Sequence, residues 1–355
     1  MLQNKKILLT GATGMLGGEL VVQLANGGAE VYCVVRANSD EQAQERLNTR
    51  LKKSTKYLEG KNISAVAGDV TEEGLGLKNP IECDIIVHAA AETSFNKPES
   101  CTLLNIGGTE KVIMYARQLQ RQPLFCYIST ACNVGDIKDE CLDEDGGCRP
   151  ENNHHNPYTK SKAIAEGLVR SSGLEFLIIR PPILLSDTIK DKTFARQIFW
   201  SAPLMMKFDA LPVRHNSNID IVPVSFVVNY TAKLLDLPTR KYDTYNVSTG
   251  IKDCYIVHQW MNAISKFYNV AGPELINPAD WTEQHYEQYV VEPGLKKYFR
   301  SLEYYLPFMN MNVVFNNRRL KEEFGQVIMS PLKSYIDFVL SQITEEEAVK
   351  ESEDP

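Results

Sequence analysis

No stretch of this chain reaches the roughly 18 consecutive apolar residues that a membrane-spanning helix needs. Positive charge is in deficit: 38 Lys and Arg stand against 45 Asp and Glu, for a net charge of -7. That balance disfavours non-specific nucleic-acid binding, which needs a basic face, but leaves room for small anionic ligands held by local cations. The eight cysteines lack metal-ligand spacing, and there is no internal repeat. Several sit in apolar runs such as VYCVV and LFCYIST, where a free thiol packs as a small hydrophobe. Cys141 and Cys148 are close enough in sequence for a local pair, but reduced thiols are expected. No Cys or acid completes a metal-like spacing near His154 and His155, so both read as loop residues and no metal site is expected. The opening MLQNKKILLTGATG runs straight into a short apolar segment ended by glycine, unlike a signal peptide. A soluble, cytoplasmic protein is the expectation.

What the chain does have is alternation. Short β-rich runs, KILLT (6–10), VYCVVR (31–36), ISAVAGDV (63–70), DIIVHAA (84–90), LFCYIST (124–130) and EFLIIRP (175–181), are separated by segments with helical apolar spacing. Continuous apolar strands between helices predict an α/β fold, a doubly wound parallel sheet covered on both faces. TYNVSTG (244–250) reads as one more strand and YIVHQWMNAISKFY as one more helix. The predicted division is a dinucleotide-binding core of residues 1–185 plus 241–268, a smaller substrate-binding subdomain of 186–240 plus 269–340, and a solvated acidic tail at 341–355.

ILLTGATGMLGGEL places Gly11, Gly14 and Gly17 between the first strand and the first helix. Gly11 permits the tight turn, Gly14 lets backbone approach a pyrophosphate, and Gly17 lets the helix pack close to the sheet. The helix N-terminus then offers free N–H groups to the anion. An NAD site usually carries an acid at the end of the second strand, and Arg36 stands there, with Arg46 about one helix further on. A guanidinium pairs bidentately with a 2′-phosphate, so NADP(H) is preferred, and Asp40 keeps NAD(H) as the minority reading.

Tyr158 and Lys162 lie four apart in the helical NPYTKSKAIAEG and share a face. A phenol is a poor acid near neutral pH unless a neighbouring ammonium stabilises its anion and lowers its pKa. Thr130, at the end of LFCYIST, falls where a third group could hydrogen-bond the reacting oxygen. Tyr158 is the predicted proton donor.

TGATGMLG, HAAAETSFN, LNIGGTEKV, ISTACNVGD, NPYTKSK and RPPIL together resemble the successive motifs of the extended short-chain dehydrogenase/reductases, whose fold is Rossmann-like. VVRANSDEQAQERL, GDVTEEGLGL and IDIVPVSFVV resemble the thioester-reductase and fatty acyl-CoA reductase branch, with its male-sterility-type NAD(P)-binding domain. YYLPFMNMNVVFNNRRL is similar to the end region of the fatty acyl-CoA reductases. The likeness covers residues 5–250 strongly and the remainder weakly.

The resemblance implies that Thr130, Tyr158 and Lys162 form a catalytic triad and that Asn105 supports the proton relay. It implies that Gly11, Thr13, Gly14, Met15, Leu16 and Gly17 hold the pyrophosphate, while Arg36 and Arg46 take the 2′-phosphate. Asp69 and Val70 would border the adenine, Ala89, Ala90 and Ala91 the route to the nicotinamide, and Pro181 and Ile183 would close over the ring. The implied activity is NADPH-dependent reduction of an acyl thioester, on coenzyme A or an acyl carrier protein, to aldehyde or alcohol; relatives also imply a homodimer. Two departures stand out: Ser225 replaces the acid usual after PV, and residues 204–218 are short for an acyl-CoA clamp. The alternatives are an NADP-dependent ketone or hydroxysteroid-type dehydrogenase, a nucleotide-sugar epimerase or dehydratase, and a non-catalytic NADP-sensing protein. Dehydration is disfavoured because Ala131 and Cys132 follow Thr130 where an acidic pair is needed.

Overall fold

Seven short apolar runs become the seven strands of one parallel sheet: β1 (Lys6–Thr10), β2 (Glu30–Val35), β3 (Ile63–Ala67), β4 (Ile85–His88), β5 (Leu124–Ile128), β6 (Phe176–Arg180) and β7 (Thr244–Asn246). The computed structural model describes residues 2–190 and 198–351. The strand order is β7-β6-β5-β4-β1-β2-β3, and every neighbouring pair is parallel. The chain leaves β1 in one direction to β2 and β3, then returns to β4 on the other side. This topological switch opens a crevice at the carboxyl ends of β1 and β4. Residues on both faces are buried, Ile7, Leu8 and Leu9 all at 0% exposure, as a sheet covered on both sides requires.

Local chemistry sets the helices that border the crevice. Helix α1 (Met15–Asn26) starts at Gly14 with no side-chain cap. Helix α2 (Asp40–Leu51) is capped by Ser39, whose hydroxyl accepts from the Gln42 N–H, and carries Asp40 and Glu41 in its first turn. Before α3 (Gly108–Gln118) the chain makes a π-helical turn at Thr102–Gly107. Helix α4 (Pro157–Arg170) is capped by Asn156, which accepts from the Thr159 N–H, and has proline in its first turn.

The division into core and subdomain differs from the expectation at two helices and at the tail. Helix α5 (Val224–Asp236), assigned to the subdomain, buries Val227, Tyr230 and Leu234 with Leu20 and Leu24 of α1 in the sheet core. Helix α6 (Val257–Tyr268), assigned to the core, instead buries Trp260 and Ile264 with Leu211, Phe299 and Ile336 in a second core. Helical periodicity shows that a face is buried; it does not say against what.

Residues 191–197, within the span assigned to the subdomain, and residues 352–355 of the tail lie outside the described residues. The described part of the tail ends in helix α8 (Glu345–Glu351), and it is not solvated throughout. Its Ala348 is fully buried beside Trp200 and Leu204, and Glu345 pairs with Lys207 at 2.6 Å. Charge dominates the composition of this segment, but Ala348 and the partly buried Val349 on its inner face dock it, with the Lys207 pair at its start. Ala348→Asp places an unpaired carboxylate in that contact and is expected to cost about 1–3 kcal/mol. The check is a lowered thermal midpoint relative to wild type.

Candidate active site

At the end of β1 the chain turns through Gly11, with φ of 81°. A Cβ there would lie 2.5 Å from the Ala90 nitrogen and 2.6 Å from the Ala89 carbonyl carbon, so only glycine fits between β1 and β4. A Cβ at Gly17 would lie 2.1 Å from the Gly11 oxygen. Gly14 is exposed and accepts no side-chain cap, which leaves the α1 N–H groups turned to the crevice for an anion. Thr13 and Leu16 are partly buried alongside and Met15 is buried. This is a cradle that a Cβ would fill, and it fits a dinucleotide pyrophosphate.

Arg50, which the sequence reading passed over, props this turn from behind. Its buried guanidinium donates to the Gly14 and Met15 carbonyls at 3.1 and 2.9 Å and pairs with Glu19 at 3.2 Å. Its only sequence signal is its place on α2, three turns from the cap.

At the adenine end, Arg36 and Arg46 are exposed neighbours, and Arg46 Nη1 donates to the Arg36 carbonyl. The Asp40 carboxylate accepts from the Ala67 N–H at 2.7 Å. Asp69 accepts twice from Thr71, from its N–H and its hydroxyl, both at 2.8 Å, and Val70 is buried beside Gly108.

Towards the other end, Ala89 and Ala90 donate their N–H groups to Thr10, at 3.2 and 3.3 Å, and Ala91 follows them partly buried. The Pro181 carbonyl accepts from the Ala131 N–H at 2.8 Å and from the Thr130 hydroxyl at 3.3 Å. Ile183 opens a short strand paired with Ile221.

Thr130, Tyr158, Lys162 and Asn105 come together at the carboxyl ends of β5 and β6. The Thr130 hydroxyl lies close to the Tyr158 phenol. Burial holds that phenol well above its usual pKa, with the nearby Thr130 hydroxyl acting the other way. The expected depression by a neighbouring ammonium is absent among the protein groups. Lys162 instead donates to the Ile128 carbonyl at 2.6 Å and lies 4.1 Å over the Tyr127 ring. The four-residue spacing put both side chains on one face but could not foresee that the ammonium would reach past the phenol to a strand carbonyl. Burial pushes Lys162 down to about 7, opposed by the charge of Glu166.

Asn105 sits on the π-turn, where its amide donates to the Glu92 carbonyl at 2.9 Å and to Ser161 Oγ at 2.8 Å. Ser161 donates in turn to the Tyr158 carbonyl at 2.8 Å. A second chain has its direction fixed by donor counting. Thr109 Oγ1 donates to the Asn105 carbonyl at 2.6 Å, so it accepts from His88 Nε2 at 3.0 Å. His88 Nδ1 then accepts from Thr10 Oγ1 at 2.7 Å. Burial, with the Lys162 charge, lowers His88 to about 3, so the neutral ring holds this tautomer. The chain links the glycine turn to the Asn105 turn.

An aromatic wall that the sequence did not reveal closes over Tyr158. Phe95 lies 6.2 Å from the Tyr158 ring, 5.2 Å from Tyr305 and 5.3 Å from Phe308, the last on helix α7 (Leu306–Asn310). His155 packs edge-on to Phe308 at 6.1 Å, and Trp200 donates to the Tyr305 hydroxyl at 3.1 Å. His154 bonds Thr159 and the Arg149 carbonyl, both at 3.1 Å, inside the loop.

At Ser225, the departure noted after PV, both the N–H and the hydroxyl donate to the Asp187 carboxylate. Residues 204–218 are not a surface clamp: Leu204, Met205, Phe208, Leu211 and Val213 are all buried. Among the described residues no group of three His, Cys, Asp or Glu could hold a metal ion, and no helix is long and apolar enough to cross a membrane.

The Gly17 clearance is the sharpest test of the cradle. Gly17→Ala must displace the Gly11 carbonyl, and affinity for a reduced nicotinamide dinucleotide is expected to fall by about tenfold or more, measured by fluorescence titration.

The family model described as male sterility protein matches residues 9–231, more than half of the chain. A carboxylic acid reductase of Mycobacterium tuberculosis is 27% identical over 325 residues, covering 79% of this chain and 28% of that protein. Fatty acyl-CoA reductase 1 of Gallus gallus is 29% identical over 303 residues, covering 70% of this chain and 58% of that protein. The chain thus spans less than two thirds of the length of these relatives. The terminal R domain from the myxalamid PKS-NRPS biosynthetic pathway shares the fold, with a TM-score of 0.78 at 23% identity over 96% of this chain and 90% of that one. With its parallel sheet, its glycine cradle and this match, the chain belongs to the male sterility protein family within the extended short-chain dehydrogenase/reductases, a family of NAD(P)H-dependent oxidoreductases.

Proposed function

We propose that the chain reduces an acyl thioester, on coenzyme A or a carrier protein, to an aldehyde, with NADPH as reductant. The observation that carries this reading is the Thr130 hydroxyl close to the Tyr158 phenol past the carboxyl end of β5, on the same side of the sheet as the glycine cradle and beneath an aromatic wall. The pair suits a carbonyl oxygen, the wall suits an apolar acyl chain, and the cradle suits a dinucleotide.

Bound in this crevice, the reduced nicotinamide would supply a hydride to the thioester carbonyl carbon. The residues do the rest. Thr130 and Tyr158 donate to the oxygen as negative charge builds on it, where preorganised donors contribute most. Tyr158 passes its proton to that oxygen. When the resulting hemithioacetal collapses, the proton returns to the phenolate, the carbon–sulfur bond breaks and the thiolate takes a proton from solvent. One thioester, one NADPH and one proton thus become one aldehyde, one thiol and NADP. Lys162 keeps positive charge beneath the Tyr158 helix turn, and Asn105 with Ser161 holds that turn in place. A second round on the aldehyde gives the alcohol.

The preference for NADPH is supported by two adjacent exposed arginines, Arg36 just after β2 and Arg46 on α2, and by the engagement of the Asp40 carboxylate with the Ala67 N–H. Gly11, Thr13, Gly14, Met15, Leu16 and Gly17 would hold the pyrophosphate, and Asp69 and Val70 would border the adenine. Ala89, Ala90, Ala91, Pro181 and Ile183 would line the nicotinamide. The eight free thiols suit a reducing compartment such as the cytoplasm.

NADPH and NADH are each mixed with acyl-coenzyme A, acyl-carrier, ketone and sugar-nucleotide substrates, and absorbance loss is followed. Thioester-dependent oxidation of NADPH is expected, and turnover confined to ketones or sugar nucleotides overturns the reading. Tyr158→Phe should lower kcat by about 100-fold or more with NADPH binding intact; near-full turnover excludes the phenol as proton donor. The kcat/KM for reduction should fall as pH rises through about 7, where Lys162 loses its charge.

A further inference from the structure

Among the described residues, a heavily bonded buried charge belongs to a residue with no part in the chemistry so far. Glu166 lies on α4 one turn beyond Lys162 and is fully buried. Its carboxylate accepts from Ser129 Oγ at 2.7 Å and from Asn133 Nδ2 at 2.9 Å, both in the segment that follows β5. It accepts from Arg180 at 2.5 and 3.0 Å, at the end of β6, and from Arg170 at 2.9 and 3.1 Å on its own helix. Arg180 is itself 1% exposed and donates onward to the Glu144 carbonyl at 2.8 Å.

Each partner adjoins a residue of the reaction site: Ser129 precedes Thr130, Arg180 precedes Pro181, and α4 carries Tyr158 and Lys162. An ion pair taken wholly out of water contributes little net stability over a well-packed apolar pair, because desolvation offsets its attraction. What such a pair does supply is direction, since hydrogen bonds fail when their elements slip. Although burial opposes ionisation, Arg180 and Arg170 hold Glu166 down at about 2, so the carboxylate stays charged at every working pH.

We propose that Glu166 is a positioning residue for the reduction, its buried carboxylate locking the Tyr158–Lys162 helix to the strand ends that carry Thr130 and Pro181. This rests on the reading of Tyr158 and Thr130 given above. The same charge faces the Lys162 ammonium. The other groups around that ammonium are the Ile128 carbonyl and Tyr127 ring of β5, and His88 of β4, neutral by burial. Around Glu166 the remaining titratable group is the Cys148 thiol, which burial raises to about 12 and so keeps neutral. Glu166 is therefore the negative charge that keeps Lys162 protonated as well as the post that holds its helix.

The test uses the whole chain with NADPH and octanoyl-coenzyme A. Glu166→Gln should lower kcat by about tenfold or more, as a displacement of about an ångström at a reaction centre does. The alkaline limb of kcat/KM should move to lower pH, and NADPH should still bind, because none of the groups Glu166 holds belongs to the glycine cradle. Glu166→Asp, which keeps the charge but shortens its reach, should restore the limb without restoring kcat. Ser129→Ala, which frees one tie and leaves both arginines paired, should lower kcat by a smaller factor with the limb unmoved, and it serves where Glu166→Gln does not fold. Full kcat in Ser129→Ala and Glu166→Gln, or a limb that stays in place in Glu166→Gln, overturns the proposal while the thioester reading stands. A wild-type protein that oxidises no NADPH with the thioester overturns both.

Discussion

One close backbone approach governs this molecule. Gly11 must pass between Ala89 and Ala90 on one side and Gly17 on the other, with no room for a Cβ at either glycine. The approach brings the ends of β1 and β4 together and aims the free N–H groups of α1 at the space between them. Every other part of the site is measured from that point. Thr10, immediately before Gly11, starts the hydrogen-bonded chain through His88 and Thr109 that ends at the Asn105 turn, so the cradle and that turn are joined through one buried chain.

Desolvation then does much of the electrostatic work. Tyr158, Lys162 and His88 are all shifted toward their neutral forms by burial, and Glu166 alone is held charged by two guanidiniums. A phenol that is reluctant to ionise is a poor base but keeps its proton until an oxyanion forms beside it, which suits a donor in a reduction. A lysine near its titration point makes the balance sensitive to one neighbouring carboxylate. Polar groups in such an interior contribute geometry more than stability.

The second core explains how an aromatic wall can stand over this pocket. Helix α7 brings Phe308, and Tyr305 just before it meets Phe95 from the loop after β4. Trp200 braces Tyr305, and α8 packs on Trp200 in turn through Ala348. The carboxyl-terminal segment, acidic and unremarkable in composition, thereby supports the roof of the site from about 190 residues away in sequence.

Much of this was readable from local order. The strands showed as unbroken apolar runs because both faces of a parallel sheet are buried, and their observed limits fall within a residue or a few of the expected ones. Gly11 and Gly17 were readable because no other residue type fits their backbone approach, and the shared face of Tyr158 and Lys162 because helical spacing is a local property. Partners distant in sequence left no such trace. The Lys162 contact with Ile128, the pairing of Glu166 with Arg180, the Asp187 contact of Ser225 and the aromatic wall depend on which elements meet.

The same reason sent helices 224–236 and 257–268 to opposite cores from those expected. By itself the sequence determined the periodicities, the turns that only glycine can make and the order of the elements. Only the tertiary structure decided what each buried face and each buried charge would meet, because those choices belong to packing between segments and not to any one of them.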